Sequence, residues 1–199
     1  MTHSLRELSV RLSRLTPTEA EIVLSLNCAL PHATTEIRGR LMGPNCQHSS
    51  TIEIAHPVHA LPRIPDQPHV RRAHIVIPEP AWWDCESPFL YHGPIELWEH
   101  EHKIDEMRLR IGLRHAEWKG DALHWNGRPI ELRTEAVADI DEGVLRSLRE
   151  RQVNSVVVSV ELARTVWPIA DRAGILVMAD GSVEVNGLMH PSAVPARPH

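Results

Sequence analysis

The run Glu99-His100-Glu101-His102 sets two imidazoles two residues apart among carboxylates. On an extended strand such residues share a face, so His100 and His102 could begin a zinc site. Zinc needs a third and usually a fourth ligand, and no further residue is identifiable at a matching spacing. A solvated strand end or loop is the reading adopted, and no metal is assigned. Trp82 and Trp83 suggest a second chemistry, because aromatic faces pack on pyranose rings. Core packing is the competing reading and the one preferred, since large rings tend to bury. Asp180-Gly181 follows an apolar run, Ile175 to Met178, where α/β proteins hold ligands. A nucleotide or phosphate would be the ligand class there, although no Gly-rich phosphate loop follows any strand. Asp139, Asp141 and Glu142 read as a helix N-terminus satisfying free amides, not as a catalytic pair. Ser/His/Asp and Cys/His triads stay open on composition, yet no G-x-S-x-G elbow is present. No cofactor is expected.

Two kinds of element must position these residues. Up to about residue 113 the chain alternates like short strands. Leu8, Val10 and Leu12 share a face, as do Ile22, Leu24, Leu26 and Cys28. Ile37 and Leu41, then Ile52 and Ile54, mark two more strands, with Met42-Gly43-Pro44-Asn45 read as a turn between them. Ala73, Ile75 and Ile77, then Ile95 and Leu97, then Met107, Leu109, Ile111 and Leu113 complete about seven strands. That count and spacing fit an immunoglobulin-like β-sandwich over residues 1–113.

From Arg114 the pattern changes. Glu117 to Leu123 reads as strand, turn and strand, with Trp118 and Trp125 as a cross-strand pair. Asn126-Gly127 is the strongest short hairpin signal, and Pro129 to Leu132 continues as a strand. A helix is expected over 141–152, a buried strand over 153–160, and a second helix over 161–173 in which Pro168 demands a kink or a late start. Gly174 caps that helix before the next strand. Residues 114–185 therefore form an incomplete β-α-β-α-β segment, and the proline-bearing tail, 186–199, is expected to be loose. The fold class is α+β and multidomain.

Composition bounds the function. The 199 residues are 42% hydrophobic and 24% charged, which suits a globular chain. A net charge of −5 gives no footprint for nucleic acid. No apolar run reaches membrane-spanning length, the N-terminus lacks a signal-peptide h-region, and three cysteines make a disulfide framework unexpected. A reduced, cytoplasmic protein is the expectation.

Five stretches, in order, resemble glycoside hydrolase family 2, which includes the β-galactosidases and β-glucuronidases. Pro80-Ala81-Trp82-Trp83-Asp84-Cys85-Glu86-Ser87-Pro88-Phe89-Leu90-Tyr91 resembles that family's P-x-L-W-x-P-E-x-P-x-L-Y segment. Ile111-Gly112-Leu113-Arg114 is similar to F-G-F-R, and Asn126 to Arg133 is similar to N-G-K-P-x-x-L-R. Asn154-Ser155-Val156 stands where N-A-V-R is expected, and Asp171 to Val177 resembles D-E-x-G-I-L-V.

The resemblance implies an immunoglobulin-like domain followed by the first strands of a (β/α)₈ barrel. It also implies that the family's two glutamates, its general acid and nucleophile, belong to later barrel strands. Only 86 residues follow Leu113, against about 250 for a whole barrel. Where the family carries Arg and His near the sugar, this chain has Val157 and Val160, and its glutamate after the last strand is shortened to Asp180. Residual carbohydrate contacts would fall to Trp82, Trp83, Asn154 and Asp180. The expected function is a non-catalytic binding or assembly module in a carbohydrate-related setting. A homo-oligomer or a partner chain would cover the incomplete sheet. The alternatives are one chain of a split glycoside hydrolase completed by a partner, and a small nucleotide- or phosphate-binding α/β protein.

Overall fold

A computed structural model describes residues 4–28 and 35–179. The fold is β-rich with two α-helices among the described residues, and it divides into two compact units interleaved along the chain. Unit 1 comprises Met1–Asn45, Ile52–Pro80 and Tyr91–Ile111, and unit 2 comprises Cys46–Thr51, Ala81–Leu90 and Gly112–His199. None of the described helices is long and apolar enough to cross a membrane.

The described residues of unit 1 form eight strands: β1 (Ser9–Leu15), β2 (Glu19–Asn27), β3 (Glu36–Asn45), β4 (Ile54–Pro57), β5 (His59–Ala60), β6 (Val70–Pro78), β7 (Leu90–Glu99) and β8 (His102–Ile111). One sheet runs β1-β2-β6-β5 and the other β4-β3-β7-β8. The apolar alternation read in the sequence becomes the buried face of each. In the first sheet Leu12, Ile22, Leu24, Leu26, Ala73, Ile75 and Ile77 are buried, and in the second Ile37, Leu41, Ile95 and Leu97. Gly39 and Gly93 lie on the adjacent strands β3 and β7, and a Cβ on either would collide with backbone of the other strand. A 3₁₀ turn, Leu5–Glu7, is fixed by the Leu5 N–H donating to the Asp105 carboxylate at 2.7 Å.

The expected turn at Met42–Asn45 is instead the end of β3. Met42 pairs with Ala55 and Gly43 with Ile54, and the Gly43–Pro44 bond is cis. Pro44 stands beyond the last pair registered with β4, so its missing N–H costs no bond of that ladder. The strand expected around Ile52 and Ile54 starts only at Ile54, and both side chains are exposed, 85% and 59%.

Unit 2 opens with an antiparallel meander of β9 (Ala116–Lys119), β10 (Ala122–Trp125) and β11 (Arg128–Pro129). Asn126 and Gly127 both have positive φ between the paired Trp125 and Arg128, as a two-residue turn with left-handed backbone requires. Trp118 pairs directly with Leu123 and Trp125 with Ala116, so the two tryptophans share a face diagonally, not as opposite partners. A parallel sheet follows, ordered β12 (Thr134–Ala136), β13 (Ser155–Val158), β14 (Leu176–Ala179). Helix α1 (Glu142–Glu150) and helix α2 (Val160–Ala173) connect its strands.

Asp141 caps α1 through its side chain, as its position before an acidic first turn suggests. Several element limits differ from the sequence reading. The strand at 129–132 stops at Pro129, because Glu131 and Arg133 use backbone groups to hold the Asn154 side chain instead of a neighbouring strand. The next strand, β12, is one the alternation does not mark. The β-branched run 153–160 is strand only from Ser155 to Val158, since Ser159 caps α2 and recruits Val160 into the helix. Pro168 neither delays α2 nor ends it. It sits inside the helix on the exposed side, where water can replace the lost bond. The buried faces of both helices and of β13 and β14 meet in one core containing Leu145, Leu148, Val156, Val166, Ala170 and Ile175.

Candidate functional site

A buried polar cluster lies in unit 2, around Arg114. Its guanidinium is 1% exposed and forks onto Asp171, each Nη donating to one carboxylate oxygen at 2.9 Å. The same guanidinium lies over the Trp83 ring, 4.4 Å from its centroid. Trp83 is fully buried, and its indole N–H donates to the Asp171 carbonyl at 2.9 Å. Trp125 meets the Trp83 ring edge-on at 5.5 Å and, with Leu90, Leu123 and Leu176, completes an apolar cluster around it. Gly112 is required here, because a Cβ would come within 2.7 Å of the Trp83 ring. The fork matches the geometry that makes an arginine–carboxylate pair strong when desolvated.

Two asparagines brace the surrounding backbone. Asn126 accepts from the His115 N–H and donates to the Trp83 carbonyl, both at 2.9 Å. Asn154 accepts from the Arg133 N–H and donates to the Glu131 carbonyl, both at 2.8 Å. Both ends of the Asn154 amide are thereby used, so the structure gives this proposed sugar contact a bracing role. Trp83, likewise named as a sugar contact, has no exposed ring face and plugs a core. Trp82 is half-buried, and Asp180 lies outside the described residues, as do Gly181 and the tail 186–199. At the ends of the described parallel strands stand Val137, Asp139 and Ser159, of which Ser159 caps α2.

His100 and His102 do not share a strand face. Glu99 pairs with His102, and His100 and Glu101 form the turn between them with φ of 47° and 64°. Among the described residues no group of three or more His, Cys, Asp or Glu is placed to hold a metal ion. Burial pushes the Cys85 thiol up to about 12, which leaves it protonated and unreactive at neutral pH. In unit 1 the His74 ring nitrogen sits 2.9 Å from Glu21 and Ser13 donates to the same carboxylate at 2.7 Å. These two hydrogen bonds, His74 foremost, hold the Glu21 carboxyl below its ordinary value.

A second polar feature of unit 2 was not read from the sequence. A cleft of about 250 Å³ lies between α1, the end of α2 and residues Gln47–His48, and it is lined by Arg146, Arg149 and Arg172. The signal was available in part, since residues three apart on a helix are neighbours and Arg146 and Arg149 have that spacing. The approach of Arg172 from a second helix was not legible.

The sequence profile of the Glycosyl hydrolases family 2 matches residues 8–114, more than half of the chain. The chain belongs to glycosyl hydrolases family 2. Among curated members, the β-galactosidase of Oenococcus oeni is 24% identical over 131 residues, covering 59% of this chain and 13% of that enzyme. A Klebsiella pneumoniae β-galactosidase is 24% identical over 129 residues, covering 58% and 12%. This family 2 chain therefore spans about an eighth of the length of the curated relatives it matches.

The fold is also shared with solved structures. The Bifidobacterium dentium β-glucuronidase complexed with coumarin-3-O-glucuronide superposes with a TM-score of 0.65 at 15% identity, covering 89% of this chain and 31% of that one. The Parabacteroides merdae β-glucuronidase with glycerol in its active site gives 0.61 at 17% identity, covering 87% and 23%. The stretches through which the sequence resembles family 2 include the residues of the buried cluster: Trp83, Gly112, Arg114, Asn126, Asn154 and Asp171.

Proposed function

We propose that this family 2 chain is a non-catalytic binding or assembly module in a carbohydrate-related, cytoplasmic setting. In this reading residues 1–113 are an immunoglobulin-like sandwich, and 114–185 correspond to the first strands of a (β/α)₈ barrel. The observation that carries it is the use made of the family-like polar groups. Trp83, Arg114, Asn154 and Asp171 satisfy one another or nearby backbone, so they maintain a scaffold and offer little to a sugar. Glycoside cleavage of the family type needs two carboxylates flanking one glycosidic bond. The purified chain is expected to release no aryl alcohol from aryl β-galactosides or aryl β-glucuronides. Turnover by the chain alone, abolished by replacing one of its own carboxylates, would refute the proposal.

A second reading makes the chain one part of a split glycoside hydrolase. It is favoured by the parallel sheet, in which β12 and β14 are the outer strands among the described residues and each offers a side to a further strand. Here hydrolysis appears only on mixing with a chain that carries the remaining barrel strands. Failure of such a mixture to cleave any aryl glycoside leaves the module reading in place.

A further inference from the structure

The cleft between α1, the end of α2 and residues Gln47–His48 has more positive charge than its own carboxylates neutralise. Arg146, Arg149 and Arg172 line it against one acid, Glu142. The three guanidiniums are held differently. Arg149 is fixed, donating through Nη1 to the Cys85 and Ala173 carbonyls at 2.6 and 2.8 Å and through Nη2 to the Glu86 carbonyl at 3.0 Å. It thereby also offsets the negative end of α2. Arg172 donates to Glu142 at 2.7 Å, but that carboxylate side chain is 69% exposed, and such pairs exchange for other partners at little cost. Arg146 is exposed and has no ion pair among the described residues.

We propose that this cleft binds a phosphate group, free or as a small phosphate monoester, with Arg146 and Arg172 as its ligands and Arg149 as a fixed positive charge behind them. Guanidinium forks match phosphate oxygens two at a time, and a dianion answers the surplus of two charges. A volume of 250 Å³ equals about eight water molecules, enough for the anion and a sugar-sized substituent. Ile169 supplies an apolar wall on which such a substituent can rest. The site takes its lining from α1, the end of α2 and Gln47–His48, and includes none of the run Ile175 to Met178 that precedes the phosphate candidate of the sequence. It is independent of whether the chain takes part in glycoside cleavage.

Thermal unfolding of the full chain tests this with inorganic phosphate and glucose 6-phosphate, each against sodium chloride at matched ionic strength. Both phosphates are expected to raise the midpoint where chloride does not. Arg146→Gln is expected to weaken binding about tenfold or more, by loss of a charge-assisted contact. Arg14→Gln, an exposed change in unit 1, is expected to leave it unchanged. Tighter binding of the sugar phosphate identifies the monoester as the ligand, and equal binding identifies free phosphate. Equal shifts with chloride, equal losses in Arg146→Gln and Arg14→Gln, or no shift with either phosphate would each overturn the proposal.

Discussion

Arg114 shows how a residue typical of binding sites becomes structural. A guanidinium in a cleft can hold a substrate carboxylate. At 1% exposure, forked onto Asp171 and stacked on Trp83, it is committed to its neighbours. Burying such a pair is costly, and breaking it by removing one partner costs more than the pair contributes. Arg114→Ala is therefore expected to lower stability by about 3–5 kcal/mol, read from urea denaturation. Arg114→Met combined with Asp171→Leu should recover much of that loss, because no uncompensated charge remains. A double variant as unstable as the single one would mean that the Trp83 stack, not the ion pair, dominates. Glu21 is the residue to follow by pH. Its folded pKa is lowered, so its contribution is complete above the ordinary value of 4.5 and is lost as pH falls through the lower folded value. Glu21→Gln should flatten the fall of unfolding free energy over that acid range, measured by denaturation at a series of pH values.

At the scale of elements, the two hairpin turns of left-handed backbone contrast. Asn126-Gly127 was legible because those residues tolerate positive φ, whereas His100-Glu101 adopts the same kind of turn with neither. The sequence therefore did not separate a strand with both histidines on one face from the strand end or loop that was preferred. His100→Asn with Glu101→Gly is expected to stabilise the protein by about 1 kcal/mol or more, seen as a higher unfolding midpoint. The exposed Arg38–Glu101 pair that the change removes contributes little. Period-two alternation identified β1, β2, β6 and β7 because each buries one face. It could not identify β12, three residues without alternation that are held by a parallel neighbour and by the Thr134–Ser155 hydroxyl contact at 2.6 Å. The start of α1 was legible through its acidic cap, Asp141, whereas Ser159, which caps α2, lay within the run read as strand. The pairing of Arg114 with Asp171 was not, because it joins residues 57 apart whose shared environment exists only in the folded chain.

For the whole molecule, the family relationship was readable from five short stretches, two of which lie within the profile match over 8–114. What those stretches do together was not readable: several supply the interior of one unit. The outer strands of the parallel sheet, with Ile52, Ile54 and Ile104 as exposed large apolar side chains, favour self-association. Light scattering is expected to return the mass of a dimer or a larger homo-oligomer. A strictly monomeric mass across the accessible concentration range would remove the assembly part of the proposal and leave binding as the role.

The interleaving of the two units also sets an order of events during synthesis. The chain passes between them after residues 45, 51, 80, 90 and 111. Every segment of unit 1 has been translated by Ile111, when unit 2 has only two short pieces, one of them carrying Trp83 and Leu90. Those side chains emerge from the ribosome well before Leu123, Trp125 and Leu176, the residues that later enclose them. Once residue 111 has cleared the ribosome, the strands of unit 1 are all outside it while Trp83 and Leu90 are still not enclosed, apolar surface of the kind that chaperones cover during translation.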